Sequence, residues 1–427
     1  MDNLPMPAIV PFKAYYFDAR DKKELEQLLA PPHDVISPAE RSAYLRESRD
    51  NIVQIILPDS YPKAGEILNK LIETGRLIQQ KSPAFYIYKT KHYQNGEMHE
   101  RYGLLAIVKL SKFSEKQIIP HERTFKKVTE GRYNLFRETH ANFNPIFFIF
   151  NGNHTYTKVI QKYKPRNPFL VVNDRDKVEH SVWVIDDALD IQDLQDSFQT
   201  IPLLIADGHH RYTSALMLSD ENGSKYVLGL LVDMNDPNLS VFPTHRLVRY
   251  VSKINTHTIV NHIKKYFRFE AYDFSEPKML NQLTKVLERI RKMPQNTFGL
   301  FLYNMNTFFL ITLREEFPPE SLIGGEFSNE WKRLDVSILH EFIFKQLLKI
   351  EQYIDDSENI AYIKNLEEAV QSVHNGLYQA LFILNPTKVE QVLQITQGNE
   401  IMPHKSTYFY PKPLSGLIIY KWGPNEV

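Results

Sequence analysis

The 427-residue chain contains no cysteine, which removes disulfides, thiolate metal sites and every mechanism with a cysteine nucleophile while leaving the redox compartment undetermined. It also has no excess charge: 51 Lys and Arg balance 51 Asp and Glu. Zero net charge gives no overall electrostatic reason to bind nucleic acid or a membrane surface, although a total says nothing of local patches. No run approaches 18 uninterrupted apolar residues, and the first residues, MDNLPMPAIVPFK, carry no basic segment followed by an apolar one. Neither an export signal nor a membrane span is expected, and the reading is a soluble cytoplasmic protein. Glycine is sparse, 16 against 25 prolines, and neither gathers into linkers, repeats or low-complexity tracts.

What is present is ample core material, 43% hydrophobic and 12% aromatic residues. At about 150 residues per domain the length suggests two or three units. Helical patterns cover residues 22–30 and, after Ser37 and Pro38, run to about 49; residues 51–57 (NIVQIIL) read as a strand, and a helix is expected over 64–79. Strands follow from Phe85 and Tyr102, joined by the hairpin signal Asn95-Gly96. Further strands begin at Pro145, Ser181, Pro202 and Lys225, with a polar helix ending near His140. Beyond Val241, helices over 256–267 and 277–292 flank a short strand, and paired strands from Phe298 turn at Asn304 and Asn306. The remainder alternates: 334–344, the short segment 352–354, a long helix to His374, a strand near 378–384 and a helix after Asn385-Pro386. This alternation predicts an α/β (α+β) fold, cut near Val251 into domains 1–250 and 251–427.

Within it, residues 202–219 (PLLIADGHHRYTSALMLS) read as a buried strand running through one Asp-Gly turn into a helix. The first helical N–H groups have no intrahelical partner and the dipole is positive there, so a helix start is a seat for phosphate. Gly208 allows close approach, Asp207 caps, and Arg211 is a planar fork suited to phosphate oxygens. An ordinary turn before an amphipathic helix explains the same periodicity. It does not explain His209, His210 and Arg211 in the first turn, where cations oppose the dipole and point to an anionic guest. A metal shared by His209 and His210 is disfavoured, because adjacent helical residues point about 100° apart.

Other clusters carry polar chemistry. His33-Asp34 follows Pro31-Pro32 and reads as an imidazole oriented by a carboxylate, or as punctuation between two helices. Thr244, His245 and Arg246 follow a proline near a strand end, and Lys405, Ser406, Thr407, Tyr408 and Tyr410 lie between prolines. The first set, at a strand end, reads as facing a pocket, or His245 as a satisfied buried histidine; the second, a basic residue beside hydroxyls, suits phosphate or carboxylate binding, or else ordinary aromatic packing. His340-Glu341 and Glu367-Glu368 read as structural or solvated.

Six segments occur in order: PPHDVIS at Pro31, PHERT at Pro120, ADGHHRY at Ala206, PTHRLV at Pro243, YQALFILNP at Tyr378 and MPHKSTYFYPK at Met402. Together they resemble, over nearly the whole chain, the prokaryotic family called domain of unknown function 1015. The DGHHR turn is also similar to the phosphate motif of the ParB and sulfiredoxin superfamily, which includes free serine kinases that phosphorylate L-serine with ATP or ADP. That resemblance implies a ParB/sulfiredoxin-like mixed core with additional N- and C-terminal α/β elements, and places Gly208, His209, His210 and Arg211 at a nucleotide's phosphates. It makes Glu122, within Pro120-His121-Glu122, the base for a substrate hydroxyl, with His121 beside it and Asp207 serving magnesium. Arg123, Thr124, His33, Asp34, His245, Arg246, Lys405 and Ser406 are then candidates for holding substrate. Set apart from the resemblance, Glu122 reads as a surface carboxylate paired with Arg123. The chain departs from the family pattern at His33, where tyrosine is common, and at KKVTEGRY after Phe125; lack of cysteine excludes sulfiredoxin chemistry.

The expected function is therefore a phosphotransferase using ATP or ADP with magnesium on a small hydroxylated molecule. A non-catalytic nucleotide-binding module of ParB type is the alternative, without a recognisable helix-turn-helix for DNA. A metal-dependent hydrolase built on His33, His121, His209, His210 or His245 is the third, without HxxxH or HExxH spacing.

Overall fold

The computed structural model describes residues 9–94, 96–221, 223–249, 256–274, 279–350 and 359–423. The chain forms two compact units, residues 1–240 together with 409–427, and residues 241–408. Asn95 of the expected hairpin turn, the expected helix start at Pro277, the expected cut at Val251 and the segment 352–354 lie outside the described residues. A single cut puts 409–427 with the second domain, whereas that segment packs as part of the first unit.

The first unit is built on a mixed sheet of β1 (Ile9–Val10), β2 (Phe85–Gln94), β3 (Glu97–Lys109), β4 (Ile118–Ile119), β5 (Ile146–Phe150), β6 (Leu170–Asn173), β7 (Glu179–Ile185), β8 (Leu203–Asp207) and β9 (Tyr226–Asp233). The order is β4-β8-β5-β9-β3-β2-β7-β6, with β1 beside the end of β3. β5 (IFFIF) is buried at every position, as continuous apolar runs are when both faces of a sheet are covered. β8 runs parallel to β4 and antiparallel to β5, and its register shifts between Ile205 and Asp207. The carboxyl ends of β4 and β8 therefore lie side by side, which sets the loop leaving β4 next to the helix leaving β8. Those two chains continue into α1 (Lys126–Thr139) and α2 (His209–Asp220), joined where Ser214 Oγ donates to Thr129 O at 2.8 Å.

Two expectations fail here. Residues 51–57 form not a strand but a short helix, Val53–Ile56. Asn51 accepts the Val53 N–H at 2.8 Å and donates to Gln27 O and Leu29 O, and a short buried apolar run carries no periodicity that separates helix from strand. The helix expected to reach residue 79 is Tyr61–Glu73; the chain turns at Gly75, φ 70°, and Leu77–Gln79 pairs with Tyr15–Phe17.

The second unit holds an antiparallel sheet of β10 (His245–Val248), β11 (Phe267–Asp273), β12 (Thr297–Leu302), β13 (Thr307–Leu313), β14 (Ile360–Ile363) and β15 (Ala380–Ile383), ordered β11-β13-β12-β15-β10-β14. Its core joins Phe301, Phe308, Leu310 and Leu381 to Ile290 of α3 (Met279–Lys292) and Val373 of α4 (Leu366–His374). The expected long helix to His374 is thus a strand followed by nine helical residues. Ile338–Leu347 winds as a π-helix. Both units mix helix and sheet, so the class is α/β (α+β). Among the described residues no helix is long and apolar enough to cross a membrane.

Candidate functional site

Asp207 closes β8, Gly208 turns and His209 opens α2. Gly208 has φ 100° and ψ 25°, and a Cβ there would lie 2.9 Å from Arg211 Nη2, so conformation and space both call for glycine. The helix is pinned by Tyr212, fully buried, whose hydroxyl donates to Ser111 O at 2.7 Å and accepts the Ser111 N–H at 2.9 Å.

The two histidines of the first turn are acceptors. The His121 N–H donates to His209 Nε2 at 3.2 Å and the Phe125 N–H donates to His210 Nε2 at 3.0 Å. Burial, then His121, pushes His209 down to about 3. Neither imidazole opposes the helix dipole in this arrangement, so the cation argument for an anionic guest does not extend to them; they stitch the loop after β4 onto α2. His121, also buried, donates from Nδ1 to Ile205 O at 2.6 Å, and burial lowers its pKa. The same stitching brings Glu122 Oε2 to 4.0 Å from His209 Nδ1, with 23% of the Glu122 side chain exposed. Arg123 is exposed and Thr124 half-buried on this loop.

A charged cluster lies on the other flank of Gly208. Arg211 folds back rather than outward: Nη2 meets Asp207 Oδ2 at 2.7 Å, and Nη1 donates to Pro145 O at 2.7 Å, Asn144 O at 3.1 Å and Asn144 Oδ1. Lys412, from the returning segment, places Nζ 2.6 Å from Asp34 Oδ2 and 2.9 Å from Asp207 Oδ1. Burial resists ionisation of both carboxyls, but Lys412 and Arg211 outweigh it and hold Asp34 and Asp207 below the usual carboxylate range. His33 stands beside this cluster as a neutral imidazole, pushed down to about 3 by burial and then Arg132, while Asp34 turns to Lys412. Asp207, expected to serve magnesium, has both oxygens in ion pairs. As placed it does not fit a protein-held divalent cation, and no group of three or more His, Asp or Glu among the described residues could hold one.

The remaining candidates belong to the second unit. His245 is buried and its Nδ1 accepts the Leu384 N–H at 3.3 Å. Arg246, with no exposed surface, donates from Nε to His340 Nε2 and from Nη2 to Lys405 O, each at 3.0 Å, from Nη1 to Thr244 O, and covers the Tyr362 ring. Lys405 is exposed, and Ser406 is buried, its hydroxyl donating to Pro403 O. His340, read from sequence as structural, is thus the partner of Arg246.

Sequence reasoning missed Lys412, Asn144 and Arg101. Arg101, 2% exposed, donates to Tyr410 O at 2.8 Å and Pro411 O at 2.6 Å, Asn144 donates to Pro413 O at 2.7 Å, and the Leu414 N–H donates to Tyr88 Oη at 3.1 Å. The signal was the Pro411-Lys412-Pro413 triplet, a lysine between two residues of fixed φ.

Comparison with solved structures finds distant likenesses. A free serine kinase in complex with AMP matches at 16% identity, TM-score 0.34, over 70% of this chain and 88% of that one. A conserved hypothetical protein from Pyrococcus furiosus matches at 14%, TM-score 0.34, over 70% and 90%. SbnI with C-terminal truncation from Staphylococcus aureus matches at 10%, TM-score 0.35, over 73% and 85%. No curated protein matches the chain. The family model described as "Protein of unknown function (DUF1015)" matches residues 9–337, well over half of the sequence, and the chain belongs to that family.

Proposed function

We propose that the first unit is a nucleotide-dependent phosphotransferase acting on a small hydroxylated molecule, with free serine as one candidate acceptor. The observation that carries this reading is the placement of Glu122, 4.0 Å from the first residue of a helix whose N-terminus Gly208 opens with φ 100°. A phosphate chain from ATP or ADP would rest on the N–H groups of the first turn of α2. The acceptor hydroxyl would attack the terminal phosphorus, the bond to the donor's bridging oxygen would break, and Glu122 Oε2 would take the hydroxyl proton. Such a transfer needs positioning, charge neutralisation and one proton acceptor rather than covalent work by the protein. The neutral His209 favours this role, since a neutral ring beside Glu122 leaves the carboxylate more basic than an imidazolium would.

The test is phosphorus NMR with a nucleotide panel, magnesium and mixed small alcohols including L-serine, on the native chain and Glu122→Gln. A new phosphomonoester signal, slowed about 10²- to 10⁴-fold in the folded variant, is expected. Unchanged turnover in Glu122→Gln would remove Glu122 as base. Nucleotide line-broadening without product would favour a binding module.

A further inference from the structure

The geometry points to Lys412, rather than Arg211, as the side chain that takes hold of the phosphate chain, exchanging Asp34 for a phosphate oxygen; this rests on the nucleotide reading of the α2 N-terminus. Arg211 is committed. Its two terminal nitrogens serve Asp207, both oxygens of Asn144 and Pro145 O, and its guanidinium lies against Gly208, so swinging it outward would strand buried acceptors. Lys412 differs in kind. Its ammonium ends a flexible stem and acts as a point charge, it bridges two carboxylates, and one of them, Asp34, is 38% exposed and open to replacement. The other, Asp207, is the residue before the N-cap, so Nζ already lies one residue from the first turn of α2.

The mount argues for function as strongly as the charge. Residues 410–414 contain two prolines, which supply no N–H, and the carbonyls of Tyr410, Pro411 and Pro413 are nevertheless all taken by side chains of the sheet region. Burying Arg101 to hold two of them is costly unless every donor is used, and its guanidinium also lies over the Phe147 ring, 4.7 Å from the centroid. Tyr88, which receives the Leu414 N–H, is itself hydrogen-bonded at 2.7 Å to His180 Nδ1, and His180 Nε2 faces Asp174 at 3.1 Å. A backbone fixed at both sides of one lysine, with its ammonium already aimed at the residue before the α2 N-cap, is how a binding cation is preorganised. It also identifies the ligand class, a chain of two or more phosphates, because one seat is the helix start and the second is the ammonium.

The experiment is titration calorimetry with AMP, ADP, ATP and inorganic tripolyphosphate against the full chain, Lys412→Met, Lys412→Arg, Asp34→Asn and the charge-balanced pair Asp34→Asn with Lys412→Met. Circular dichroism confirms folding, and the balanced pair covers the case in which Lys412→Met alone fails to fold. The expected result is a loss of about tenfold to a hundredfold for ADP, ATP and tripolyphosphate, far less for AMP, partial recovery in Lys412→Arg, and tighter binding in Asp34→Asn. A lysine that merely braces the fold would not sort ligands by phosphate number. Native binding of ADP or ATP that survives in folded Lys412→Met, or in the balanced pair, overturns the role of Lys412 and leaves the nucleotide reading standing. A native chain that binds none of the four ligands overturns both.

Discussion

His209 is 4% exposed, and burial holds its imidazole neutral, which leaves Nε2 to accept a backbone N–H. His209 and His210 meet backbone N–H groups through Nε2, contacts that sequence spacing alone does not encode, because donors and acceptors are 88 and 85 residues apart. This gives a pH dependence with a definite sign. His33, His209 and His245 are each held down to about 3 in the fold, while in the unfolded chain they protonate near 6.5. Between those values the unfolded state binds more protons, so stability is present above about 6.5 and is lost progressively as pH falls towards 3. Asp34 and Asp207, also depressed in the fold, add a further loss at the acid end. Calorimetric melting between pH 8 and 4 should show Tm falling from about pH 6.5 downward, with a shallower slope in His209→Gln. A flat profile over that range would contradict neutral buried histidines.

At the scale of elements, β8 and α2 were legible because two strong signals meet there, an apolar run ended by Asp-Gly and an amphipathic pattern beginning at once. Observed bounds of Leu203–Asp207 and His209–Asp220 follow the sequence reading closely. The helix Val53–Ile56 was not legible, since Asn51, whose Oδ1 accepts the Val53 N–H, draws its other partners from residues 27 and 29. What the periodicity of α2 does show is a buried Tyr212, and its hydroxyl serves both backbone groups of Ser111. Tyr212→Phe removes a partner from a buried donor and a buried acceptor, and chemical denaturation should register a loss of about 1–3 kcal/mol. A change within about 0.5 kcal/mol would mean that water or relaxation satisfies Ser111.

At the scale of the whole molecule, the site was half legible for a topological reason. The candidates near Gly208 come from motifs the sequence displays, but Asp34 and Lys412 are 378 positions apart, and no local pattern brings them together. The returning segment does much for the first unit: Ile419 pairs with Tyr15, Ser415 with Ala30, Tyr420 with Asn142, and the Trp422 N–H reaches His140 O at 2.9 Å. Deleting residues 409–423 should therefore abolish cooperative melting of the first unit and expose it to limited proteolysis, whereas a purely local role would leave its protease pattern unchanged. The same topology imposes an order on biosynthesis. A ribosome that has released β9 must still translate residues 241–408 before the closing segment emerges, on the order of ten seconds or more at about 5–20 residues per second. Through that interval the nascent first unit carries Asp34 and Asp207 without their shared ammonium, and a chain stalled in the second unit is born without it.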